Sequence, residues 1–321
     1  MPVVRGEPLI CRGEDAVHQF LRGILLKGQQ YQERLNKYPR LPKRLLQHGN
    51  SFKELPLETR LTKLNEAFPG ATVLIHKVGK LPKAYQQLWS NDRLLNVIEQ
   101  LVGPNILGHP VWNLRPKTPN TVSTDVPWHQ DSAYLDPAGD EVLRITCWIP
   151  FVDTTARNGC LQVVKGGHRK GKLAPHRGCW NNTWYLWADE KDIGDKLEVD
   201  LNENIVTCEV PYGGLLIFSN MLPHRSTPNY SDGIRWSVDL RFQAADKPVG
   251  FYGVTDGIVL RTENNPNYVP NWERFNSCDR KKMQAGQADS VKDPLDTHIV
   301  GPWMTRWPIV HENSHTDLLK A

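Results

Sequence analysis

His129, Gln130 and Asp131 are consecutive in this chain, a second histidine follows at His224, and an arginine stands eleven residues beyond it at Arg235. A histidine and a carboxylate two apart on an extended strand point to the same side. His129 and Asp131 therefore pair, and Gln130 faces away. With the distant imidazole they make a 2-His-1-carboxylate set, which holds one face of a non-haem Fe(II) and leaves the other positions open. Arg235 could then anchor the distal carboxylate of a 2-oxoglutarate co-substrate, since a bidentate guanidinium–carboxylate pair is the strong way to hold such a group. The set predicts an oxygenase that uses Fe(II), 2-oxoglutarate and O2.

The surrounding sequence supplies elements able to position these residues. Pro127 suits a strand entry, and Asp136-Pro137-Ala138-Gly139 closes the first segment as a turn. The apolar run Gly214 to Ser219 reads as a buried strand that delivers His224 to the core. A loop rich in turn residues, Thr227 to Gly233, follows, and the next strand opens at Arg235. Along that strand Arg235, Ser237, Asp239 and Arg241 share one face, and Trp236, Val238, Leu240 and Phe242 share the other. A polar face on an interior strand predicts a polar-lined cavity, because a buried arginine is costly unless a carboxylate meets it.

Residues 14–35 and 83–102 carry helical periodicity, the second stopping at Gly103-Pro104. Residues 71–78 read as an early strand. From about residue 105 short β-type runs dominate: Ile106 to Leu114, Leu143 to Phe151, Cys160 to Val164, Gly214 to Ser219 and Arg235 to Gln243. Strands without long intervening helices argue for a mainly β fold, an antiparallel sandwich or jelly roll. The expected organisation is one domain over 1–321. Its helical N-terminal part is 1–104, its catalytic β core about 105–245, and its loop-rich C-terminal extension 246–321.

Composition narrows the partners. A net charge of +4 spread along the chain is too weak for a nucleic-acid surface. No run approaches the ~18 apolar residues of a membrane span, and no signal peptide or peroxisomal tripeptide is visible, so a cytoplasmic protein is expected. The six cysteines form no CxxC pair and read as reduced thiols. The expected partner is a small-molecule substrate, with neither nucleic acid nor membrane; oligomeric state is unknown from the sequence. His311-Glu312-Asn313-Ser314-His315 spells the HExxH zinc-protease string, but Asn-Ser is poor helix material, and the segment reads as a polar tail. The basic stretch from Lys165 to Arg177 reads as a solvated loop, or else as a rim attracting an anionic substrate. Trp180, Trp184 and Trp187, with Tyr185, have helical spacing and read as a lid stripe or as an aromatic wall at the site's mouth.

Several stretches resemble the phytanoyl-CoA dioxygenase family of Fe(II)/2-oxoglutarate-dependent oxygenases: Pro127 to Ser132, Asn158 to Val164, Gly166 to Arg169, and the block from Gly213 to Arg235. The resemblance covers roughly 70–245 and implies a double-stranded β-helix with bracing α-helices. It implies that His129, Asp131 and His224 bind iron and that Arg235 binds the C5 carboxylate of 2-oxoglutarate. Ser226 matches a position whose hydroxyl assists that carboxylate, and Thr146 and Asn113 are further co-substrate candidates. Where the family has Pro-Gly-Ser-His this chain has Lys165-Gly166-Gly167-His168, and His168 reads as structural. The implied activity is hydroxylation of a small molecule with release of succinate and CO2. The alternatives are an acyl-CoA 2-hydroxylase of the same family and a catalytically idle, cupin-like metal- or metabolite-binding protein. Asp131 argues against a halogenase, in which a small residue stands there. The polar cavity face leans toward a polar or amino-acid-like metabolite.

Overall fold

A computed structural model describes residues 55–265, 267–284 and 296–319; the helix expected at 14–35 lies outside them. Four helices open the described chain: α1 (Leu57–Ala67), α2 (Ala71–His76), α3 (Lys83–Trp89) and α4 (Asp92–Val102). The strands are β1 (Ile106–Gly108), β2 (Asn113–Lys117), β3 (Ile145–Pro150), β4 (Leu161–Val164), β5 (Ile205–Cys208), β6 (Leu216–Ser219), β7 (His224–Ser226), β8 (Arg235–Ala244) and β9 (Ile258–Arg261). Short helices α5 (Glu190–Leu197) and α6 (Leu201–Asn204) lie between β4 and β5, and α7 (Trp272–Phe275), α8 (Arg280–Gln284) and α9 (Ser314–Asp317) follow β9.

The single helix expected over 83–102 is two. Asn91 caps α4 by accepting the Arg93 N–H at 3.0 Å, and the Ser90 hydroxyl donates back to the Gln86 carbonyl, so the chain turns between α3 and α4. α4 ends as expected, at Gly103 with φ +88°. Residues 71–76 are helical, where an early strand was expected. Thr72, Val73 and Ile75 are all buried there, which strand alternation on one half-buried face cannot achieve. Packing against β2 and α1 overrides the β-branched composition.

All strand pairs are antiparallel. The larger sheet runs β6-β3-β8-β1-β9, with β2 also on β8, and the smaller runs β5-β4-β7. This is a jelly roll braced by helices on one sheet. Strand alternation sorts the layers. Trp236, Val238, Leu240 and Phe242 of β8, with Ile145, Cys147 and Ile149 of β3, join Tyr85, Trp89, Leu94 and Ile98 in the main apolar core. Each fully buried side chain of this size stabilises the fold by roughly 1.5–3 kcal/mol. The opposite faces of the same strands carry Arg235, Ser237, Asp239, Arg241, Thr146 and Trp148 into the space between the sheets. There Trp148 packs with Leu161, Val163, Leu216 and Phe218.

The single run expected over 106–114 divides at His109–Trp112 into β1 and β2, and β5, β7 and β9 were not foreseen. The C-terminal extension is more than loops. It adds β9 to the edge of the large sheet, and it packs Ile299, Trp303 and Met304 with Val73, Trp184 and Tyr185.

Candidate active site

His129 does not lie on a regular strand with Asp131. It makes a one-residue antiparallel bridge to His224 of β7, with His129 N–H to His224 O at 3.0 Å and His224 N–H to His129 O at 2.9 Å. Residues directly opposite in such a bridge stand side by side, and the two imidazole centroids are 4.2 Å apart. Asp131 begins a 3-10 turn that runs to Tyr134, and that turn swings its carboxylate back until Oδ1 lies 3.7 Å from His129 Nε2. Gln130 points away and fixes the segment. Its amide donates to the Lys172 and Met221 carbonyls at 2.9 and 2.7 Å, and its oxygen accepts the Ala174 N–H at 2.8 Å.

The ligating atoms of His129, Asp131 and His224 lie within 4.8 Å of one another, and all three residues are buried. Each imidazole Nδ1 sits 2.9 Å from a backbone carbonyl, Pro127 for His129 and Leu222 for His224. That contact requires Nδ1–H, so Nε2 is left with a free lone pair. Burial, then the neighbouring His129, pushes His224 down to about 3, which keeps it neutral. Burial alone would raise Asp131, but Arg241 and the two imidazoles outweigh it and hold the carboxyl well below the usual range. Two neutral Nε2 donors and one carboxylate suit a divalent first-row metal.

Arg241 is the orienting group. Its Nη2 donates to Asp131 Oδ1 at 2.8 Å and its Nε to Oδ2 at 3.0 Å, and the Thr146 hydroxyl donates to Oδ2 at 2.7 Å. Oδ2 thus takes two donors and Oδ1 only one, which leaves Oδ1 a lone pair toward the histidines. Thr146, expected near a co-substrate, spends its proton on Asp131.

Two cavity lobes meet at His129, Arg241, Arg115, His76, Trp184 and Tyr185. The first contains Arg235, Lys117, Ser226 and His224. The second contains Asp131, Asn113, Tyr134 and Lys281. Asn113 therefore lies in the lobe without Arg235.

Arg235 is 2% exposed. Its Nε donates to the Gly159 carbonyl at 3.2 Å and its Nη1 to Ser237 Oγ at 2.6 Å, and its guanidinium lies 5.3 Å from the Trp148 ring centroid. Burial pushes it down to about 10. Among the described residues no carboxylate forms an ion pair with it. Asp239, four residues along β8 on the same face, is taken instead by Arg115 at 2.6 Å. Ser226 Oγ accepts from the Val126 N–H and from Lys117 Nζ, both at 3.1 Å, so its own proton is available to an acceptor in the lobe.

Lys117, Arg115 and His76 were not singled out from the sequence, and Arg241 was placed on the polar face of its strand without a role. β2 pairs with β8 so that Asn113, Arg115 and Lys117 stand opposite Asp239, Ser237 and Arg235. Alternation along 113–117 carried the signal, but the pairing that aims it inward did not show. Lys117 is 1% exposed, bound to Asp125 Oδ1 at 2.5 Å, and burial pushes it down to about 7 despite that carboxylate.

The aromatic stripe is not helical. Trp187 bridges back to Arg177, and the Trp180 N–H reaches the Tyr185 carbonyl at 2.8 Å, so the segment is a tight hairpin-like loop. Trp180 and Trp187 pack on each other, whereas Trp184 and Tyr185 line both lobes. In the basic stretch Lys165, His168, Arg169, Lys170 and Lys172 are exposed and line neither lobe. His176 is buried, accepting the Gln130 N–H at 3.1 Å. The 311–315 string fails as a zinc motif because α9 begins at Ser314, leaving His311 ahead of it. Nor is it a purely polar tail, since His315 is buried 5.3 Å from the Trp184 ring centroid.

Residues 66–237, more than half the chain, match the profile of the phytanoyl-CoA dioxygenase family. The chain belongs to that family. Within it, the chain is 28% identical to the 1-deoxypentalenic acid 11-beta-hydroxylase of Streptomyces arenae over 178 residues, 53% of this chain and 61% of the relative. It is also 28% identical to the human peroxisomal phytanoyl-CoA dioxygenase over 159 residues, 48% of this chain and 44% of that one. The chain thus matches about half the length of these relatives. Among solved structures it is similar to the apo form of ThoJ, a non-heme monooxygenase, at 21% identity and a TM-score of 0.49, covering 65% of this chain and 77% of that one. Among the described residues no helix is long and apolar enough to cross a membrane.

Proposed function

We propose that this protein is an Fe(II)- and 2-oxoglutarate-dependent dioxygenase that hydroxylates a small-molecule substrate, releasing succinate and CO2. The observation that carries this reading is the buried Arg235, which has no carboxylate ion-pair partner among the described residues and shares one cavity lobe with His129 and His224. A guanidinium taken out of water is costly unless an anion meets it, and a dicarboxylate that reaches from the histidines to Arg235 supplies one. A module that bound only metal would not need that arginine.

In this reading His129 Nε2, His224 Nε2 and Asp131 Oδ1 hold iron(II). The metal with its 2-oxoglutarate supplies O2 activation and the oxidising power to functionalise a C–H bond. The protein's own residues do the rest. The carbonyls of Pro127 and Leu222 lock both imidazoles in the Nδ1–H form. Arg241 and Thr146 keep the carboxylate ionised and oriented. Arg235 takes the distal co-substrate carboxylate, with the free Ser226 proton and the Lys117 ammonium beside it. The second lobe, on the Asp131 side, receives the substrate, and Trp184 and Tyr185 exclude water from both lobes. The relatives' names, a hydroxylase and a dioxygenase, agree with this reading.

The test is succinate release from 2-oxoglutarate under air by anaerobically Fe(II)-loaded protein, with His129→Ala and Arg235→Ala alongside. Turnover in the wild type that both substitutions abolish is expected. A wild type that neither turns over nor develops the metal-to-ligand absorption band of bound 2-oxoglutarate would refute the proposal.

A further inference from the structure

Among the described residues, the second lobe contains one basic side chain that no internal group engages. Arg241 is engaged by Asp131 at 2.8 Å and Arg115 by Asp239 at 2.6 Å. Lys281, at the start of α8, lines the same lobe, and its ammonium has no hydrogen-bond or ion-pair partner among the described residues. Its backbone N–H is held by Asp279 Oδ1 at 3.1 Å, which fixes the root of the side chain. The next residue back adds to the positive field. Arg280 is 3% exposed, donates to the Trp112 carbonyl at 2.6 Å, and leaves Nε and Nη1 without hydrogen-bond partners among the described residues. Burial first, then Arg280, Arg115 and Arg241, pushes the Lys281 amine well below its ordinary range. A bound anion would offset that cost and favour the charged amine.

Away from the metal ligands, Asn113 and His76, one wall of the lobe is apolar. Leu135, Phe251, Ile299, Trp303 and the Tyr134 ring form that wall. Such a surface holds an apolar body by area and fixes its orientation by a few placed polar groups.

We propose that the substrate is an apolar molecule carrying one anionic group, and that Lys281 is the residue that holds that group. Resting on the oxygenase reading above, this assigns the C-terminal segment a specificity role. It shifts the expectation from a wholly polar metabolite to an amphiphilic acid. With the anion pinned at Lys281 and the apolar body across the lobe, a carbon at a fixed distance from the acid is presented beside His129 and Asp131. Arg235, in the other lobe, stays free for the co-substrate.

The experiment uses full-length protein loaded anaerobically with Fe(II) and saturating 2-oxoglutarate, so that the first lobe is occupied. Binding is measured by calorimetry for decanoate, 1-adamantanecarboxylate and decyl phosphate, each beside an uncharged partner (decanamide, 1-adamantanecarboxamide and decanol). Wild type is expected to bind at least one anion tenfold or more tighter than its neutral partner. Lys281→Met is expected to lose that preference while still binding the neutral compound, and Lys281→Arg to keep it. The carboxylate and phosphate arms tell which head group the lobe takes. Equal affinity for charged and neutral members in wild type, a preference that survives in Lys281→Met, or no binding of any anion would overturn the proposal. Absence of the 2-oxoglutarate absorption band in wild type would instead count against the oxygenase reading, so the two failures are distinguishable.

Discussion

Replacing Arg235 by methionine separates a ligand anchor from a structural ion pair. Burial brings Arg235 down to about 10 from its ordinary value of about 12.5. At about 1.4 kcal/mol per tenfold, this means that the fold disfavours the charged side chain by about 3 kcal/mol. The residue is 2% exposed, so solvent screening does not reduce that figure much. At neutral pH the group is still protonated, so the penalty is fully present there and lifts only as pH rises past about 10. Methionine removes the penalty and also removes the charged-donor bonds to Gly159 and Ser237, worth about 1.5 kcal/mol each at the low end, and part of the stacking on Trp148. The terms nearly offset. Arg235→Met protein without ligand is therefore expected to unfold within about 1 kcal/mol of wild type, or about 2 °C for a chain of this length. Breaking a true internal ion pair would cost about 3–5 kcal/mol. Binding should respond oppositely, with 2-oxoglutarate affinity falling by about a hundredfold or more and the ligand-induced rise in Tm disappearing. Thermal unfolding with and without 2-oxoglutarate, read on both proteins, measures both quantities. A ligand-free variant that melts many degrees early yet still binds 2-oxoglutarate would refute the reasoning, because Arg235 would then serve the fold.

Three further outcomes follow from the same geometry. Arg241→Met strips the bidentate partner from Asp131, so metal affinity should fall about 10–100-fold; calorimetric titration with Co(II) measures it, and an unchanged dissociation constant would show that Asp131 needs no such clamp. Lys117 sits at about 7 beside Asp125, Ser226, Arg235 and Arg115. It is cationic below that pH and neutral above it, so 2-oxoglutarate should bind more weakly as pH rises from about 6 to 8, and Lys117→Met should flatten that slope; an equal slope in the variant would remove Lys117 from the site. Trp184→Ala opens the wall common to both lobes and should raise the fraction of 2-oxoglutarate consumed without product; unaltered coupling and substrate affinity would limit Trp184 to packing against His76 and His315.

Part of this protein was legible in residue order. Alternation over 235–242 separates an apolar from a polar face, because side chains on a strand alternate whatever the strand pairs with. That period placed Arg235 on an interior polar face and distinguished it from the core residues Trp236 and Val238. The apolar runs near 145–150 and 214–219 announced buried strands for the same reason. Where local signals competed, the sequence misled: the β-branched residues of 71–76 form a helix, and the helical spacing of Trp180, Trp184 and Trp187 belongs to a loop.

What tertiary structure alone decided is which of these faces meet. The two histidines are 95 positions apart in the sequence, yet a single backbone bridge sets their imidazoles side by side. The register of β2 on β8 turns Arg115 toward Asp239 and leaves Arg235 without an ion-pair partner among the described residues. The return of the C-terminal segment brings Lys281 and Trp303 to the second lobe. Residue types and periods are local and can be read along the chain. Register and long-range return depend on how whole layers pack, and no short window of sequence contains that information.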